Sequence, residues 1–420
     1  MCVSLKKNKK LGAIFTLDNL FFATAQGTSN DLIATGMHFF GFSVSASSAI
    51  GTINSYLGIF NLLGSLLYVK SKHPLRFLRI FCTSWRIFLP FIYFAALLPI
   101  QYGAPVMAVA YLLSNLAFQF QNSPYLSWMT GTLEGKVQKN YYLWRSTIWL
   151  IVYTIATMIV NFFVDKAQIA GTTDTCLPFV GAFFTLLLII SIYYLFRLPA
   201  PENKKETTEN HSIKEMFRII FSSASCRKVL YLTAVTGFFS SFSGFFGLYR
   251  IQVLNVSLFE VSIWSTVGYV LRILISPLVA KLANRFGWVK VTSIGHAMTG
   301  IASLLWLLIT ENTLWLFFPT ASVLTVMPHT ITDAGNNNID IMAVPAPQRS
   351  IYYSVKAMLS WIVTVISSTL LTAIVKVLET LQPELLRYIF LPGAIGAVVI
   401  IIQVFRLDLH LKKQAVSAIE

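Results

Sequence analysis

The chain has 420 residues, of which 55% are hydrophobic and 12% are charged, and its formal net charge is +15. Soluble domains carry about a quarter charged residues, so this composition excludes an ordinary soluble protein and indicates an integral membrane protein. A basic excess can also indicate nucleic-acid binding, and the positions of the basic residues decide between the two.

Apolar windows of about 20 residues, the length that crosses a bilayer, predict twelve membrane-spanning helices. They lie at residues 12–39, 45–69, 75–99, 104–131, 142–164, 175–196, 229–253, 258–280, 289–310, 314–344, 350–375 and 386–406. The longest hydrophilic stretch separates two sets of six. We therefore predict an all-α membrane protein with an N-terminal half (1–197), a cytoplasmic linker (198–228) and a C-terminal half (229–420).

The basic residues lie mainly on one predicted side of the membrane. With a cytoplasmic N-terminus, 25 of the 32 Lys and Arg residues fall in cytoplasmic segments, four fall outside and three fall within spans. Cytoplasmic loops of membrane proteins are enriched in Lys and Arg. We therefore expect both termini in the cytoplasm of a bacterial plasma membrane and no nucleic-acid partner.

The two halves resemble each other at a constant offset of 211 residues. Residues 65–70 (SLLYVK) align with 276–281 (SPLVAK), residues 141–145 (YYLWR) align with 352–356 (YYSVK), and Asn122 aligns with Asp333. Because six spans is an even number, both copies enter the membrane from the same side and form parallel repeats. A solute site is expected near the midplane of such a repeat protein.

Residues 278–290 (LVAKLANRFGWVK), in the predicted loop between spans eight and nine, carry a family resemblance. They resemble the Gly-x-Leu-Ala-Asp-Arg-x-Gly-Arg-Lys loop of the major facilitator superfamily, with Arg285 and Gly287 matching and Asn284 at the acidic position. The resemblance implies a 6+6 helix bundle that transports a solute by alternating access. Residues 122–145 are also similar to the fourth helix and following loop of cation-coupled glycoside symporters, and this similarity implies a second possible activity.

Basic residues at the cytoplasmic ends of helices can hold the cytoplasmic side closed by docking on helix C-termini. Simple positive-inside bias is the alternative explanation for them. The residues considered for this gate are Arg145, Lys281, Asn284, Arg285, Gly287 and Lys356.

Polar side chains recur at helical spacing within three predicted spans. These candidates for a solute cavity are Asp18, Asn19, Gln26, Asn30 and Asp31 in span one, Asn115, Gln119 and Asn122 in span four, and Asp333, Asn336, Asn337 and Asp340 in span ten. Such groups are costly in hydrocarbon and persist where they face water or a partner. They therefore line a path or, alternatively, hold helices together by hydrogen bonds.

Two arginines, Arg86 and Arg272, lie well inside predicted spans and need an acid, a carbonyl, water or an anionic solute. Arg272 and Asp333 lie at nearby depths of the second half, so we expect them to pair. An acid released from such a pair could take up a proton and couple transport to a proton gradient. A static structural ion pair is the alternative.

The sequence contains no phosphate-binding loop and no nucleophile, metal or paired-acid constellation. We therefore expect a monomeric transporter in the lipid bilayer, not an enzyme, with no cofactor and a small-molecule solute as its partner. H⁺ is the expected coupling ion, and Na⁺ remains possible. The alternatives are a sodium- or proton-coupled glycoside symporter and a membrane sensor of the same fold that does not transport.

Overall fold

A computed structural model describes residues 2–132, 135–199, 213–344 and 349–417, and within these ranges it contains helices and no strand. The helices of the first half are α1 (Cys2–Phe39), α2 (Val44–Tyr56), α3 (Ile59–Lys70), α4 (Pro74–Phe94), α5 (Ile100–Thr132), α6 (Gly135–Ala170) and α7 (Thr173–Arg197). The later helices are α8 (Ile213–Ser222), α9 (Ala224–Ser243), α10 (Phe246–Leu248), α11 (Leu258–Phe286), α12 (Trp288–Leu308), α13 (Leu314–Val326), α14 (His329–Ala343), α15 (Arg349–Leu381) and α16 (Leu391–Ser417).

Ten helical segments in the described part of the chain are long and apolar enough to cross a membrane. They coincide with the third to twelfth predicted spans. The first predicted span lies in α1, which is less apolar because it carries Asp18 and several amides and hydroxyls. The second lies in α2 and α3, two helices of 13 and 12 residues, each too short to cross alone. The protein is an integral membrane protein.

Three predicted spans are interrupted by a turn. One break, at residues 244–245 in the seventh span, separates α9 from α10, and the other two lie in the second and tenth spans. Leu57 and Gly58 separate α2 from α3, and Met327 and Pro328 separate α13 from α14. Proline has no backbone N–H and its ring displaces the preceding carbonyl, so Pro328 accounts for the break in the tenth span. The breaks in the second and tenth spans lie close to polar side chains described below.

The chain divides into two compact units. One contains Met1–Glu206 and Val256–Ser262, and the other contains Thr207–Asn255 and Ile263–Glu420. In the first unit α4 packs on α5 and α7, and α1 packs on α6 and α7. In the second unit α12 packs on α13, α14 and α16, and α9 packs on α15 and α16. Each unit therefore has the same order of helix neighbours, as expected for a sequence repeat.

Close helix contacts in each unit depend on glycine. A Cβ atom at Gly64 of α3 would collide with the backbone of Phe120 on α5, and one at Gly335 of α14 would collide with the side chain of Thr292 on α12. These glycines let the helix backbones approach, as small residues commonly do between membrane helices. The α3–α5 contact also brings Asn61 and Ser123 together.

Candidate functional site

A carboxylate and a guanidinium form a fully enclosed ion pair inside the first unit. Arg86 Nη2 lies 2.9 Å from Asp18 Oδ1, and the two side chains are 2% and 0% exposed. Tyr125 donates its hydroxyl to Asp18 Oδ2 at 2.6 Å, and Ser191 donates to Asp18 Oδ1 at 2.7 Å. The Asp18 carboxylate therefore joins α1 to α4, α5 and α7.

The guanidinium of Arg86 also lies over the ring of Phe22, 5.2 Å from its centroid. Removing one member of a buried charge pair strands the other, which costs about 3–5 kcal/mol. The pair is thus part of the packing of the first unit, and the structure places Asp18 in the interior and not on an open surface.

The remaining polar residues of α1 have mixed positions. Asn19 is buried and Gln26 is half-buried. The side chains of Asn30 and Asp31 lie outside the described residues. The predicted stripe along α1 therefore faces the packed interior of the unit at its Asn19 end.

A second group of polar side chains lies where α2 and α3 face α5. Gln119 donates its side-chain N–H to Asn54 Oδ1 at 2.6 Å. One helical turn further along α5, Ser123 donates its hydroxyl to Asn61 Oδ1 at 2.5 Å. Asn54 and Asn61 lie on either side of the break at Leu57–Gly58, so the α2–α3 junction is bounded by two hydrogen bonds to one helix.

The other two amides predicted on α5 behave differently. Asn115 donates to the carbonyl of Tyr111, one turn earlier on its own helix, at 2.9 Å. Asn122 is exposed. Of the three predicted amides, Gln119 makes a side-chain bond to a neighbouring helix, and Asn122 presents its amide to the surface of the unit.

The second unit contains the predicted pair of Arg272 and Asp333. Arg272 Nη2 lies 3.3 Å from Asp333 Oδ2, and the side chains are 33% and 61% exposed. Arg272 also donates from Nε to Thr330 Oγ1 at 3.1 Å, so Thr330 holds the guanidinium on the side facing α14. This pair is open to its surroundings, unlike the enclosed pair of Asp18 and Arg86.

The Arg272–Asp333 pair has a neutral equivalent in the first unit. At the offset of 211 residues, Arg272 corresponds to Asn61 and Asp333 to Asn122, and Asn61 bonds to Ser123, the neighbour of Asn122. The repeat therefore carries a polar contact at the same position in both units. The contact is uncharged in the first unit and ionic in the second.

A third ion pair lies deeper in the second unit. Asp340 is 2% exposed, receives a hydrogen bond of 2.8 Å from the hydroxyl of Tyr352, and forms an ion pair with the amine of Lys356. A cavity of about 210 Å³ adjoins this pair and is also lined by Thr233, Thr236 and Asn336. Lys356, predicted as a gate residue that acts through a helix terminus or an acidic neighbour, forms its ion pair with an acid on α14, and its gate role stays a prediction.

The polar residues of α14 thus differ in environment although they share a spacing. Asp333 is exposed, Asn336 is half-buried with its Oδ1 atom lacking a hydrogen-bond partner, and Asp340 is enclosed. The side chain of Asn337 lies outside the described residues. The predicted stripe passes from an open end at Asp333 to a packed end at Asp340.

The predicted loop motif lies mostly in the last turns of α11, and Gly287 alone separates α11 from α12. Gly287 has a φ of 85°, a value that favours glycine, and begins the new helix as its cap. Lys281, Asn284 and Arg285 are exposed, and the guanidinium of Arg285 lies over the ring of Phe286. The side chain of Arg145, the remaining gate candidate, lies outside the described residues.

Several polar residues of these sites were missed by the sequence analysis. They are Asn54, Asn61, Ser123, Tyr125, Ser191, Thr330 and Tyr352. Asn54 and Asn61 are seven residues apart in the second predicted span, the same helical spacing that identified span four, so this signal was available. The hydroxyl residues carry no comparable signal, because Ser, Thr and Tyr are common in membrane helices.

The described helices pack in the same order in both units, which is the architecture of transporters of the major facilitator type. The MFS/sugar transport protein family matches residues 83–334, a range that includes Arg86, Arg272 and Asp333. The chain belongs to this family, and it is a membrane transporter of that kind. No curated protein matches the sequence at a significant level.

Solved structures with the same fold include transporters with different solutes. A mutant form of the nucleoside transporter NupG superposes with a TM-score of 0.71 at 13% identity, covering 94% of this chain and 99% of its own. A POT family transporter in complex with 5-aminolevulinic acid has a TM-score of 0.67 at 11% identity, covering 96% of each chain. A bacterial metal transporter superposes with a TM-score of 0.65 at 11% identity, covering 95% of this chain and 98% of its own. These likenesses establish the fold.

Proposed function

We propose that the protein is a secondary active transporter that moves a small solute by alternating access, coupled to proton movement through Asp333. The proposal includes a bacterial plasma membrane location with both termini in the cytoplasm, on the basis of the distribution of basic residues. The observation that carries the coupling role is the open pair of Arg272 and Asp333, with a distance of 3.3 Å and side chains 33% and 61% exposed.

The exposure of this pair matters because coupling needs an acid that can change its protonation and its partner. Exposed ion pairs contribute about 0–1 kcal/mol, so separating Arg272 from Asp333 has a low cost. Coupling through Asp333 requires proton exchange at its carboxylate while it is apart from the guanidinium. The Asp18–Arg86 pair is unsuitable for this role because it is enclosed on all sides by the first unit.

The solute that we propose is a hydroxyl-bearing ring compound, of the sugar or nucleoside kind. The family description names sugar transport, and one similar structure is a nucleoside transporter. Asn54 and Asn122 are exposed amides that can donate to and accept from hydroxyl groups. A thermal-shift screen over sugars, nucleosides and peptides identifies the class, since a ligand that binds the folded state raises apparent stability.

A sodium- or proton-coupled glycoside symporter is the second candidate, favoured by the family description and by the amide oxygens of Asn54 and Asn61, which both face α5. Transport assays in liposomes distinguish the two coupling ions. Uptake driven by a sodium gradient at equal pH supports sodium coupling, and uptake driven by a pH gradient without sodium supports the proton. Specific binding without flux under either gradient would favour a sensor.

The variant Asp333→Asn tests the proton-coupled proposal because it keeps the shape and removes the charge. We expect loss of gradient-driven accumulation with retained counterflow exchange, since exchange needs the solute site and no net proton movement. Asp174→Asn, at the exposed start of α7, is the matched control and should transport normally. Gradient-driven accumulation by a stable Asp333→Asn protein would disprove the coupling role.

A further inference from the structure

A cavity of the first unit lies at one end of α4 and α7 and has no role in the function proposed above. Its volume is about 880 Å³, and basic residues line the end that holds the start of α4: Lys72, His73, Arg76 and Arg79. None of the lining residues is acidic. We propose that this cavity binds the head group of an anionic phospholipid, with an acyl chain lying along α4 and α7.

The basic end of the cavity has unused hydrogen-bond donors. Lys72 and Arg76 are exposed and make no ion pair with the described residues. Pro74, the first residue of α4, has no N–H, but the amides that follow it have no partner within the helix, and His73 provides no side-chain cap. Positive side chains beside a helix N-terminus form a site that suits a phosphate group.

Arg79 also lines the cavity, but one of its guanidinium nitrogens is already hydrogen-bonded within the protein. It donates from Nη2 to the carbonyl of Phe196 at 2.9 Å and lies over the Phe196 ring at 4.8 Å. It therefore joins the start of α4 to the end of α7. Its Nε atom and the hydroxyl of Thr83, one turn further along α4, are buried and have no hydrogen-bond partner.

Exposed apolar side chains of α4 and α7 extend from the cavity along both helices. They favour a lipid over a free phosphate as the ligand. Ile80, Ile87 and Phe91 project from one face of α4 and are about half exposed. Their spacing of i, i+7 and i+11 places them on a single line along the helix. On α7, Ile189, Tyr193 and Phe196 are exposed in the same way. A ligand that is anionic at one end and apolar along its length fits both parts.

The location relative to the bilayer agrees with this ligand. α4 and α7 are both long and apolar enough to cross a membrane, and the cavity lies at the first residues of one and the last residues of the other. The charge distribution predicts that this end faces the cytoplasm, where anionic lipids give the leaflet its negative surface potential. Anionic lipid is thus available at the depth of Lys72 and Arg76.

The test is native mass spectrometry of the full chain, purified in detergent and equilibrated with either phosphatidylglycerol or phosphatidylcholine. We expect retained phosphatidylglycerol on the unaltered protein, and a decrease in its affinity of roughly 20- to 30-fold in the double variant Lys72→Gln/Arg76→Gln, from about 1 kcal/mol per basic residue. Binding of phosphatidylcholine should be the same in both proteins.

The matched control is Lys281→Gln/Arg285→Gln, which removes the same charge from exposed residues in the last two turns of α11. An equal decrease in the control would overturn the proposal, because it would reflect net charge and not a site. A third variant, Ile80→Gln, should weaken lipid binding while leaving inorganic phosphate binding unchanged. Displacement of the lipid by millimolar inorganic phosphate, with no effect of Ile80→Gln, would identify the ligand as a free anion and disprove the lipid.

Discussion

Arg86 Nη2 lies 2.9 Å from Asp18 Oδ1 at a point where four helices of the first unit meet, and neither side chain reaches the surface. The energetic value of this contact can be measured because each partner has a near-isosteric neutral replacement. We expect Asp18→Asn to lower the free energy of unfolding by about 3–5 kcal/mol, since it leaves a buried guanidinium without its counter-charge.

Thermal unfolding in detergent measures this effect, with Asp174→Asn as the control at an exposed acid. Adding Arg86→Met to Asp18→Asn should recover part of the loss, because contacting residues are energetically coupled. An unchanged unfolding temperature in Asp18→Asn would contradict the structural role of the pair.

Loss of the Arg272–Asp333 ion pair in the second unit should change the free energy of unfolding much less. Asp333→Asn removes a charge that is 61% exposed and lies 3.3 Å from Arg272, so the change in unfolding free energy should stay within about 1 kcal/mol. The same unfolding assay compares it with Asp18→Asn. A loss as large as that of Asp18→Asn would identify Asp333 as a packing residue and remove the basis for its coupling role.

The pair of Asp340 and Lys356 provides a test within the second unit. Lys356→Met leaves the Asp340 carboxylate enclosed with the hydroxyl of Tyr352, and we expect a loss of about 3 kcal/mol. The double variant with Asp340→Asn should be more stable than Lys356→Met alone. Lys281→Met, at an exposed lysine, is the control, and an equal effect of the two single variants would argue against a buried ion pair.

Replacement of Gly64 by alanine should create a steric clash between α3 and α5, and Gly51 on the preceding helix provides a matched control. Gly64→Ala places a methyl group against the backbone of Phe120 and should destabilise the protein by about 1–3 kcal/mol. Gly51 lies in α2 with open space around it, so Gly51→Ala should be neutral or stabilising by up to about 1 kcal/mol. Equal stabilities of the two variants would show that α3 and α5 do not approach closely.

The predicted orientation can be tested by thiol labelling. Cys226 is fully buried, so its failure to react would not report which side it faces. Arg218 is exposed on α8, and Arg218→Cys supplies an accessible thiol there. In intact cells a membrane-impermeant maleimide should label Cys176 and should not label the thiol introduced at position 218. Labelling at position 218 before the cells are opened would reverse the topology.

Hydropathy located the helices well, because a lipid-facing helix must be apolar over most of its length. It missed the breaks in the second, seventh and tenth predicted spans, since Gly58, Gly244 and Pro328 are compatible with a continuous apolar window. The pairing of Arg272 with Asp333 was predictable from similar depth within one half.

The partner of Arg86 was not predictable from the sequence. Asp18 was assigned to a polar surface because it lies beside the stripe of Asn19 and Gln26. The pairing depends on how α1 packs against α4, and helical spacing within one segment does not determine which helices become neighbours. The same limit applies to Lys356, whose partner lies on α14.

Two of the interrupted spans, the second and the tenth, carry the polar contacts of α2–α3 and of α14. A break removes backbone hydrogen bonds from the middle of a span, and the freed groups need water or side-chain partners. Amide protons next to Leu57 and Met327 should therefore exchange with deuterium faster than those in the middle of α4 or α12. Such exchange would identify these junctions as the points where the packed interior of each unit first opens.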